Sequence, residues 1–560
     1  MGAASLRPYS PPYAGSHGFR LAESNKPVED VALPGRSAEL KRLSKMTVLR
    51  EPRAKQLGIS FMKLILNPQW KSPSTDFRHT WEGVINVDQF RWLVRRDLQE
   101  QLALAQKELR ARHVRAVGMY DDEMRVFCPS PESFMGYAAK DPRTNWQIVD
   151  YAMDSLQDLR LHPVFTTSFV PSAMASGPTT VFTTKGHTSP PKDLDQWAAL
   201  VRESVLHAVE RYSLDVVRQW YFEAWNEPNL IGWFWGGTKA DYLDLWRSTY
   251  RAIKGVDASF RIGGPSTGKA EWVTDLLEFG QANDCLPDYL TPHIYNNDSS
   301  MGVALAPFDG PQEDRGAKSP NFSVGIMRGV RSQVDALGFK GELHWNEWGR
   351  SFHGIDQRRE SPAEAAFIVR LLDRVSQTAD AFAYWCISDI YDQVGYGREA
   401  FHGGYGLLSL QGLRKPAYHA FELLAKLGNQ RVEVKGTGLD DLLGAIATTT
   451  EEGKQLLVHA YDHDDAPVPR SIDVSVDLPS DFGTATLFRV DRRENNVITQ
   501  WKELGSPAYL SREQLRELKA VNALRPSPDA VRIKSDDGRV TAHFTMESPG
   551  LALLDLARQR

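Results

Sequence analysis

The feature that most constrains the fold is an alternation of short apolar runs and longer amphipathic segments between residues 75 and 428. Short runs rich in branched and aromatic residues predict strands, and apolar residues at helical spacing predict helices. Because a helix between two strands returns the chain to the same edge, this alternation predicts a parallel sheet. The predicted strands are Thr75–Trp81, Val114–Met119, His162–Phe169, Gln219–Trp225, Phe260–Pro265, Asp288–Tyr295, Lys340–Glu347 and Phe382–Ile387.

Eight strands, each followed by a helix, predict an α/β fold of the (β/α)₈ TIM-barrel type over residues 75–428. An open doubly wound sheet is the rival, but the G-x-G-x-x-G turn expected after its first strand is missing. The predicted helices are Gln89–Arg112, Trp146–Leu159, Asp193–Tyr212, Lys239–Val256, Glu271–Asn283, Phe322–Leu337, Pro362–Gln377 and Pro416–Leu427.

The pattern changes after residue 428, where short alternating runs are separated by Asp, Gly and Pro turns. Residues 429–560 therefore predict an accessory C-terminal antiparallel β-sandwich, interrupted by a helical segment at Ser511–Val521. Residues 57–74 contain a strong strand signal, Ile59–Leu66, that we expect to join this sandwich. Residues 1–56 are polar and rich in Pro and Gly, and we expect them to form an irregular N-terminal segment.

Charge and cysteine content exclude several classes of function. The net charge of −5 gives no electrostatic reason to expect nucleic acid or an anionic membrane as partner. The three cysteines, Cys128, Cys285 and Cys386, are far apart and match no zinc or disulfide pattern. The N-terminus lacks the apolar core of a signal peptide, and no apolar run approaches the roughly 20 residues that span a bilayer. We therefore expect a cytoplasmic protein, or a periplasmic or secreted one if a leader has been removed, while its oligomeric state stays open.

Two glutamates stand at predicted strand ends. Glu227 follows Gln219–Trp225 and precedes Pro228, a position that favours extended backbone, and Glu347 ends Lys340–Glu347. In barrels of this kind the carboxyl ends of the strands carry the active site. One such glutamate taken alone is more often a surface carboxylate. Two of them, each flanked by tryptophan, predict the carboxylate pair of a glycoside hydrolase, which needs no metal or other cofactor.

The chain resembles retaining glycosidases of clan A, and more closely glycoside hydrolase family 39, the family of β-xylosidases and α-L-iduronidases. The resemblance covers roughly residues 57–560, and its last two stretches are closer to the bacterial β-xylosidases. The stretches that carry it are His79-Thr80-Trp81-Glu82, Val114-Arg115, Asp121-Asp122-Glu123-Met124, Trp225-Asn226-Glu227-Pro228-Asn229, Gly263-Gly264-Pro265, His293-Ile294-Tyr295, Asn346-Glu347-Trp348, Tyr384-Trp385, Phe401-His402-Gly403-Gly404-Tyr405-Gly406-Leu407 and Arg414-Lys415-Pro416-Ala417.

The resemblance implies a retaining exo-β-xylosidase that releases xylose from the non-reducing ends of xylo-oligosaccharides, or from another small glycoside. In it Glu227 is the acid/base and Glu347 the nucleophile, Asn226 binds the sugar 2-hydroxyl, and Tyr295 binds the nucleophile. The residues that it implies around the glycone are His79, Arg115, Phe169, His293, Trp385 and Asp392.

Purely structural roles stay open for several of these residues. His79 and His293 have the alternative of structural histidines, Arg115 that of a core ion-pair partner, and Trp385 that of barrel packing. Trp233 and Trp235 follow Glu227 in the chain and are candidates for an aglycone platform, with loop packing as the alternative.

The chain departs from the xylosidases at two positions of the glycone pocket. Val117 stands where they have a histidine, and Tyr391-Asp392-Gln393 stands where they have Phe-Glu-Glu. A different glycone is therefore the nearest rival, as in an α-L-iduronidase-like enzyme or an arabinopyranosidase. An iduronidase needs a cation for the substrate carboxylate, for which Arg398 is the candidate. Two rivals of a different class are a non-catalytic carbohydrate-binding barrel and a metallohydrolase barrel.

Overall fold

The computed structural model describes residues 61–128, 143–298, 319–391, 393, 397–463, 470–479, 481–528, 530–536 and 539–558. The predicted irregular segment 1–56 and the predicted glycone residue Asp392 lie outside the described residues.

The strands in chain order are β1 (Phe61–Pro68), β2 (Thr75–Asp76), β3 (Val84–Gln89), β4 (His113–Val117), β5 (Phe127–Cys128), β6 (Arg143–Thr144), β7 (His162–Thr167), β8 (Thr180–Val181), β9 (Gly186–His187), β10 (Tyr221–Ala224), β11 (Arg261–Gly264), β12 (Tyr289–Leu290), β13 (His293–Tyr295), β14 (Glu342–Gly349), β15 (Ala381–Tyr384), β16 (Gln430–Val432), β17 (Val434–Thr437), β18 (Leu443–Thr449), β19 (Gly453–Ala460), β20 (Arg470–Asp477), β21 (Phe482–Val490), β22 (Arg532–Asp536), β23 (Arg539–Ser548) and β24 (Gly550–Arg558).

The α-helices are α1 (Arg96–Leu109), α2 (Gln147–Asp158), α3 (Leu194–Tyr212), α4 (Leu214–Val217), α5 (Lys239–Lys254), α6 (Val273–Ala282), α7 (Phe322–Ala336), α8 (Pro362–Val375), α9 (Pro416–Ala425), α10 (Val497–Glu503) and α11 (Arg512–Val521). No helix among the described residues combines the length and the apolar character that crossing a membrane requires.

The described strands include a parallel barrel of eight positions: β3, β4, β7, β10, β11, β12 with β13, β14 and β15. A main-chain hydrogen bond bridges the gap between the last and the first position, from the Ile387 N–H to the Asn86 carbonyl at 2.9 Å. The Asn86 side chain crosses the same gap and donates to the carbonyls of Asn346 and Ala383. The predicted fold class, a TIM-type barrel followed by an antiparallel β-sandwich, is confirmed.

The predicted first barrel strand, Thr75–Trp81, is wrong. Thr75 and Asp76 form β2, which pairs with β16 in a sandwich sheet, and the first barrel strand is β3. The polar residues Asn86 and Asp88 interrupt the apolar run of β3, although both side chains are buried, and this hid the strand. The following helix begins at Arg96 rather than Gln89, because a 3₁₀ turn at Phe90–Val94 precedes it.

The sandwich consists of two sheets with the orders β17-β1-β20-β23-β22 and β2-β16-β18-β19-β24-β21. Strand β1 pairs with β20 in parallel and with β17 in antiparallel orientation, and the other described pairings of the two sheets are antiparallel. Both sheets contribute to one apolar core, to which Leu64 and Val474 come from the first sheet and Val458 and Leu554 from the second. Helices α10 and α11 form a helical insertion between β21 and β22. The sequence predicted α11 but not α10.

The helices that surround the barrel are amphipathic and capped. In α1 the residues Leu98, Leu102, Ala105 and Leu109 are buried on one stripe. Helix α5 begins with a Thr238–Asp241 capping box, which satisfies amide groups that have no partner in the first turn. These helices cover the outer face of the barrel, so the open carboxyl end of the strands is left for the site.

Candidate active site

Glu227 is aimed by an unusual backbone. Strand β10 ends at Ala224, and both Trp225 and Glu227 then adopt positive φ, +71° and +48°. A side chain in this region costs conformational energy, and such residues concentrate at functional sites. The Glu227 N–H donates to the Ser266 carbonyl at 2.7 Å, and its own carbonyl accepts from the Leu230 N–H at 3.0 Å. The carboxylate is thus directed by the main chain on both sides of the residue.

The turn after Glu227 is clasped to the loop after β11. The Asn229 amide donates to the Gly268 carbonyl at 2.8 Å, and the Gly268 N–H returns a bond to Asn229 Oδ1 at 3.0 Å. A Cβ at position 268 would stand 2.9 Å from Glu227 Oε1. Only glycine leaves room for the carboxylate in this orientation.

Glu347 lies within β14 and accepts several polar contacts. The Tyr295 hydroxyl donates to its Oε1 at 2.6 Å, and Arg115 Nη1 lies 3.6 Å from its Oε2. His293 is its register partner in the pairing of β13 with β14. A hydroxyl donor and a guanidinium beside one carboxylate favour its ionised form.

His293 lies between the two glutamates. Its Nδ1 is 3.2 Å from Glu227 Oε1 and 3.4 Å from Glu347 Oε2. The histidine ring is fully buried, and burial lowers its pKa to about 4, so the ring is neutral near pH 7. The three facing atoms of Glu227, His293 and Glu347 all lie within 4.8 Å of one another. The arrangement therefore brings the two carboxylates close together beside an uncharged ring.

Both carboxyl groups titrate well above their usual range. Burial raises the pKa of Glu227 to about 7, while Arg115 and Lys269 oppose the rise. Burial also raises the pKa of Glu347 to about 7; His293, Arg115 and Tyr295 oppose the rise, and the Glu227 charge adds to it. Two close acids hold one proton between them over this range. The Tyr295 hydroxyl bond favours the ionised form of Glu347.

A buried acid, Glu223, anchors the polar floor of the site. It accepts from Arg115 Nε at 2.6 Å, Ser266 at 2.6 Å, Asn346 at 2.8 Å and Thr166 at 3.0 Å. Burial works against its ionisation, but Arg115 and Ser266 outweigh this and lower its pKa. Glu223 was not predicted as a site residue, because an acid inside an aromatic strand belongs to no recognisable motif.

Arg115 and Asn226 are coupled on this floor. Arg115 Nη2 donates to Asn226 Oδ1 at 2.7 Å, which fixes the orientation of the amide. Asn226 lines the pocket, whereas Arg115 is fully buried beneath it. Arg115 is therefore a core ion-pair partner that holds Glu223, Asn226 and Glu347 in place.

The pocket around the glutamates has a volume of about 530 Å³, an ordinary size for a ligand site. Five predicted residues besides Glu227 line it, namely Asn226, Trp233, Tyr295, Glu347 and Trp385. Val117 and Gln393, from the two stretches that depart from the xylosidases, line it as well. The other described residues that line it are Phe182, Leu230, Ile231, Phe234, Gly268, Lys269, Asn297, Asp298, Phe352 and Tyr405. Most of these come from loops, for which sequence periodicity carries no signal.

The structure does not bring every predicted residue to this pocket. His79 lines a separate open cleft with Arg112 and Gly428, and its ring nitrogens face Glu82 at 2.9 Å and the Gly428 carbonyl at 3.2 Å. The assignment of His79 to the glycone site is therefore wrong. It followed from the misplaced first strand, since His79 precedes β3 and the pocket lies at the carboxyl ends of the strands.

Three other predicted residues lie behind or away from the pocket. Phe169 is fully buried and supports the wall, with its ring 5.5 Å from Trp225. Trp235 is core and donates to the Thr238 carbonyl. Arg398 is exposed and is not among the described lining residues.

A metal ion would have three donors here, on Glu227, His293 and Glu347. The Glu347 oxygen that faces His293 also faces the guanidinium of Arg115 at 3.6 Å. A second cation at that oxygen would meet this fixed positive charge, so the donor set fits a metal poorly.

A parallel barrel with a close carboxylate pair at the carboxyl end of its strands defines a class, the barrel-type glycoside hydrolases. A family model described as "Glycosyl hydrolases family 39" matches residues 64–541. The chain belongs to this family, which confirms the resemblance and the prediction of a glycoside hydrolase that acts on carbohydrate substrates.

The chain is similar to β-xylosidases and to an α-L-iduronidase. A β-xylosidase of Caldicellulosiruptor saccharolyticus is 31% identical over 435 residues, 77% of this chain and 86% of that protein. The crystal structure of a monomeric β-xylosidase from Caulobacter crescentus superposes with a TM-score of 0.76 at 28% identity, covering 89% of this chain and all (100%) of that one. The human α-L-iduronidase is 23% identical over 448 residues, 73% of this chain and 66% of that protein.

Proposed function

We propose that this protein is a retaining exo-β-xylosidase that cleaves by double displacement. The observation that carries the proposal is the distance of at most 4.8 Å between facing oxygens of Glu227 and Glu347. Retaining glycosidases hold their carboxyl groups about 5–5.5 Å apart, whereas inverting enzymes need about 6.5–9.5 Å to admit a water. The short separation supports direct attack by one carboxylate on the sugar.

In the first step Glu227 gives its proton to the glycosidic oxygen, and Glu347 forms a bond to the anomeric carbon as the alcohol leaves. In the second step a water attacks that carbon, its proton passes to Glu227, and Glu347 is released. The pKa values of about 7 suit this exchange, because Glu227 both donates and accepts a proton near neutral pH. Asn226, oriented by Arg115, is the donor for the sugar 2-hydroxyl.

The choice of xylose as glycone rests on the β-xylosidase relatives at 27–31% identity. A uronic acid glycone is the second candidate, and one observation favours it. Lys269 lines the pocket, and its charge acts on the carboxyl group of Glu227. A cation there could hold a substrate carboxylate, as the iduronidase relatives suggest.

The test is a panel of aryl glycosides: β-D-xyloside, α-L-arabinopyranoside and α-L-iduronide. We expect the xyloside to be cleaved best, and Glu347→Ala and Glu227→Ala each to lose at least about 100-fold in turnover. With a dinitrophenyl leaving group, which needs no proton, Glu227→Ala should keep its first step and Glu347→Ala should not. The exposed Glu278→Ala is the matched control and should keep full activity.

Two results would contradict the proposal. Proton NMR of the first product should show retained anomeric configuration, and inversion would exclude the double displacement. Loss of activity with a chelator, recovered by adding metal, would instead favour a metallohydrolase.

A further inference from the structure

The mouth of the pocket is apolar. Leu230, Ile231, Trp233 and Phe234 come from the loop after Glu227, Phe182 from the turn between β8 and β9, and Phe352 from the loop after β14. Three of them are strongly exposed: Trp233 at 72%, Ile231 at 58% and Phe352 at 45%. Clustered exposed apolar side chains next to a catalytic pocket are typical of a binding surface.

The loop that presents these side chains is fixed by hydrogen bonds. Trp225 Nε1 donates to the Phe234 carbonyl at 2.8 Å, Thr188 donates to the Trp233 carbonyl at 2.9 Å, and the Gly232 N–H donates to the Trp235 carbonyl at 2.7 Å. Behind the loop Phe182 and Phe234 pack edge to face at 5.5 Å. The apolar surface is therefore preorganised, which lowers the entropic cost of binding.

The position of this apolar surface relative to the two glutamates determines which part of the substrate it contacts. Glu227 and Glu347 lie deep, at 9% and 7% exposure, so a glycone in reaction with both fills the bottom of the pocket. The leaving group then extends past Glu227, the proton donor, toward the mouth. The loop that follows Glu227 in the chain is the wall it meets.

Among the described residues, the amide and carboxyl side chains on that side already have hydrogen-bond partners. Asn297 donates to the Ser351 hydroxyl and accepts from the Phe352 N–H, and Asp298 accepts from the Tyr295 N–H. A second sugar would give up several hydrogen bonds to water here and regain few from these occupied side chains, which costs affinity.

We infer, on the basis of the proposed function, that the leaving-group side of this pocket selects an apolar aglycone, an alkyl or aryl group, over a second sugar. The substrate class is thus a small β-xyloside of a hydrophobic alcohol or phenol. Trp233 and Ile231 are the specificity-determining residues, because they contribute the most exposed apolar surface.

The experiment compares kcat/KM for methyl, butyl, hexyl and octyl β-D-xylosides and for xylobiose. The alkyl series keeps leaving-group acidity nearly constant, so rate differences report binding of the aglycone. We expect kcat/KM to rise by up to about fourfold for each methylene that becomes buried, and the hexyl compound to exceed xylobiose at least tenfold. In Trp233→Ala the ratio of octyl to methyl kcat/KM should fall at least tenfold, whereas Tyr509→Ala, an exposed aromatic residue at 83% exposure, should leave the ratio unchanged.

The outcomes separate the two proposals. Preference for xylobiose, or a flat alkyl series, would overturn the inference and leave the β-xylosidase assignment intact. If the enzyme cleaves another glycone, the same alkyl series is measured on that glycone. A kcat/KM that does not rise with alkyl length would overturn the inference. If no glycoside is cleaved, the inference and the proposed function are both overturned.

Discussion

Lys269 is a cation beside a buried acid pair. It opposes the rise in the pKa of Glu227, although burial and Arg115 have larger effects. It has the same effect on Asp298, whose pKa burial raises to about 7. In the proposed mechanism Glu227 must be protonated for the first step, so this lysine should influence the upper pH limit of activity.

Lys269→Met should move the basic limb of the kcat/KM profile upward by about 0.5 on the pH scale. Removing the positive charge disfavours the Glu227 carboxylate, so its proton is held to higher pH and activity extends with it. The profile should be measured on an aryl xyloside from pH 5 to 9. Lys502→Met, at an exposed lysine of the helical insertion, is the control, and a downward move in Lys269→Met would contradict the assignment of the limb to Glu227.

Gly268→Ala should lower kcat by about 10- to 100-fold with a smaller change in KM. The added Cβ would stand 2.9 Å from Glu227 Oε1, so the carboxylate must turn from its position. Steady-state kinetics on an aryl xyloside measures the effect. Gly83→Ala is the matched control, because its Cβ would find its nearest neighbour at an ordinary 3.6 Å. Unchanged kcat in Gly268→Ala would mean that the orientation of Glu227 is not critical.

At the residue scale the sequence could predict that Glu227 and Glu347 stand at the carboxyl ends of barrel strands. Both follow from strand order and a turn signal, which are local. Glu223 and Lys269 could not be found in this way. Their importance comes from contacts between different strands and loops, as when Ser266, Asn346 and Arg115 all bond to Glu223.

At the scale of elements, a buried lysine joins the start of α9 to the loop after β15. Lys415 is fully buried, 2.9 Å from Glu360 Oε1 and 2.7 Å from Asp389 Oδ2. The same acids accept the N–H groups of Gly403 and Gly406. The stretches 401–407 and 414–417, which the sequence presents as separate family motifs, thus form one structural unit. This unit supports Tyr405 in the pocket wall.

Lys415→Met should lower the free energy of unfolding by about 3–5 kcal/mol, because it leaves two buried carboxylates without their cation. Urea unfolding at pH 7.5 and pH 5.5 measures it, with the exposed Lys340→Met as control. The loss should be smaller at pH 5.5, where the unpaired acids can take up protons. An equal loss at both pH values would indicate lost packing instead.

Most elements could be predicted because their periodicity is strong, as in α1 and α8. The first barrel strand could not, since β3 combines buried polar residues with apolar ones, and Asn86 is needed there to bridge the barrel gap. Helix α10 was missed because it is short, from Val497 to Glu503. Hydrophobic periodicity detects buried apolar side chains over several turns or residues. It therefore misses a strand with buried polar residues, such as β3, and a helix as short as α10.

At the scale of the whole molecule, the helical insertion of the sandwich touches the barrel. Val497, Ile498, Trp501 and Leu518 pack with Phe401 and Leu413 from the loops after β15, and the Trp501 and Phe401 rings lie 5.3 Å apart. The sandwich therefore supports the segment that leads to Tyr405 in the pocket. No sequence period could have predicted this contact, which joins residues far apart in the chain.

Strand β1 has its partners β17 and β20 at the other end of the barrel sequence. On the ribosome β1 emerges first, and its neighbours follow only after the whole barrel has been synthesised. During that interval β1 presents two open hydrogen-bonding edges in a nascent chain, the condition under which strands pair with wrong partners. Completion of the sandwich is thus a late step of biogenesis. The nascent chain in which β1 still lacks its partner strands is the species that chaperones would meet.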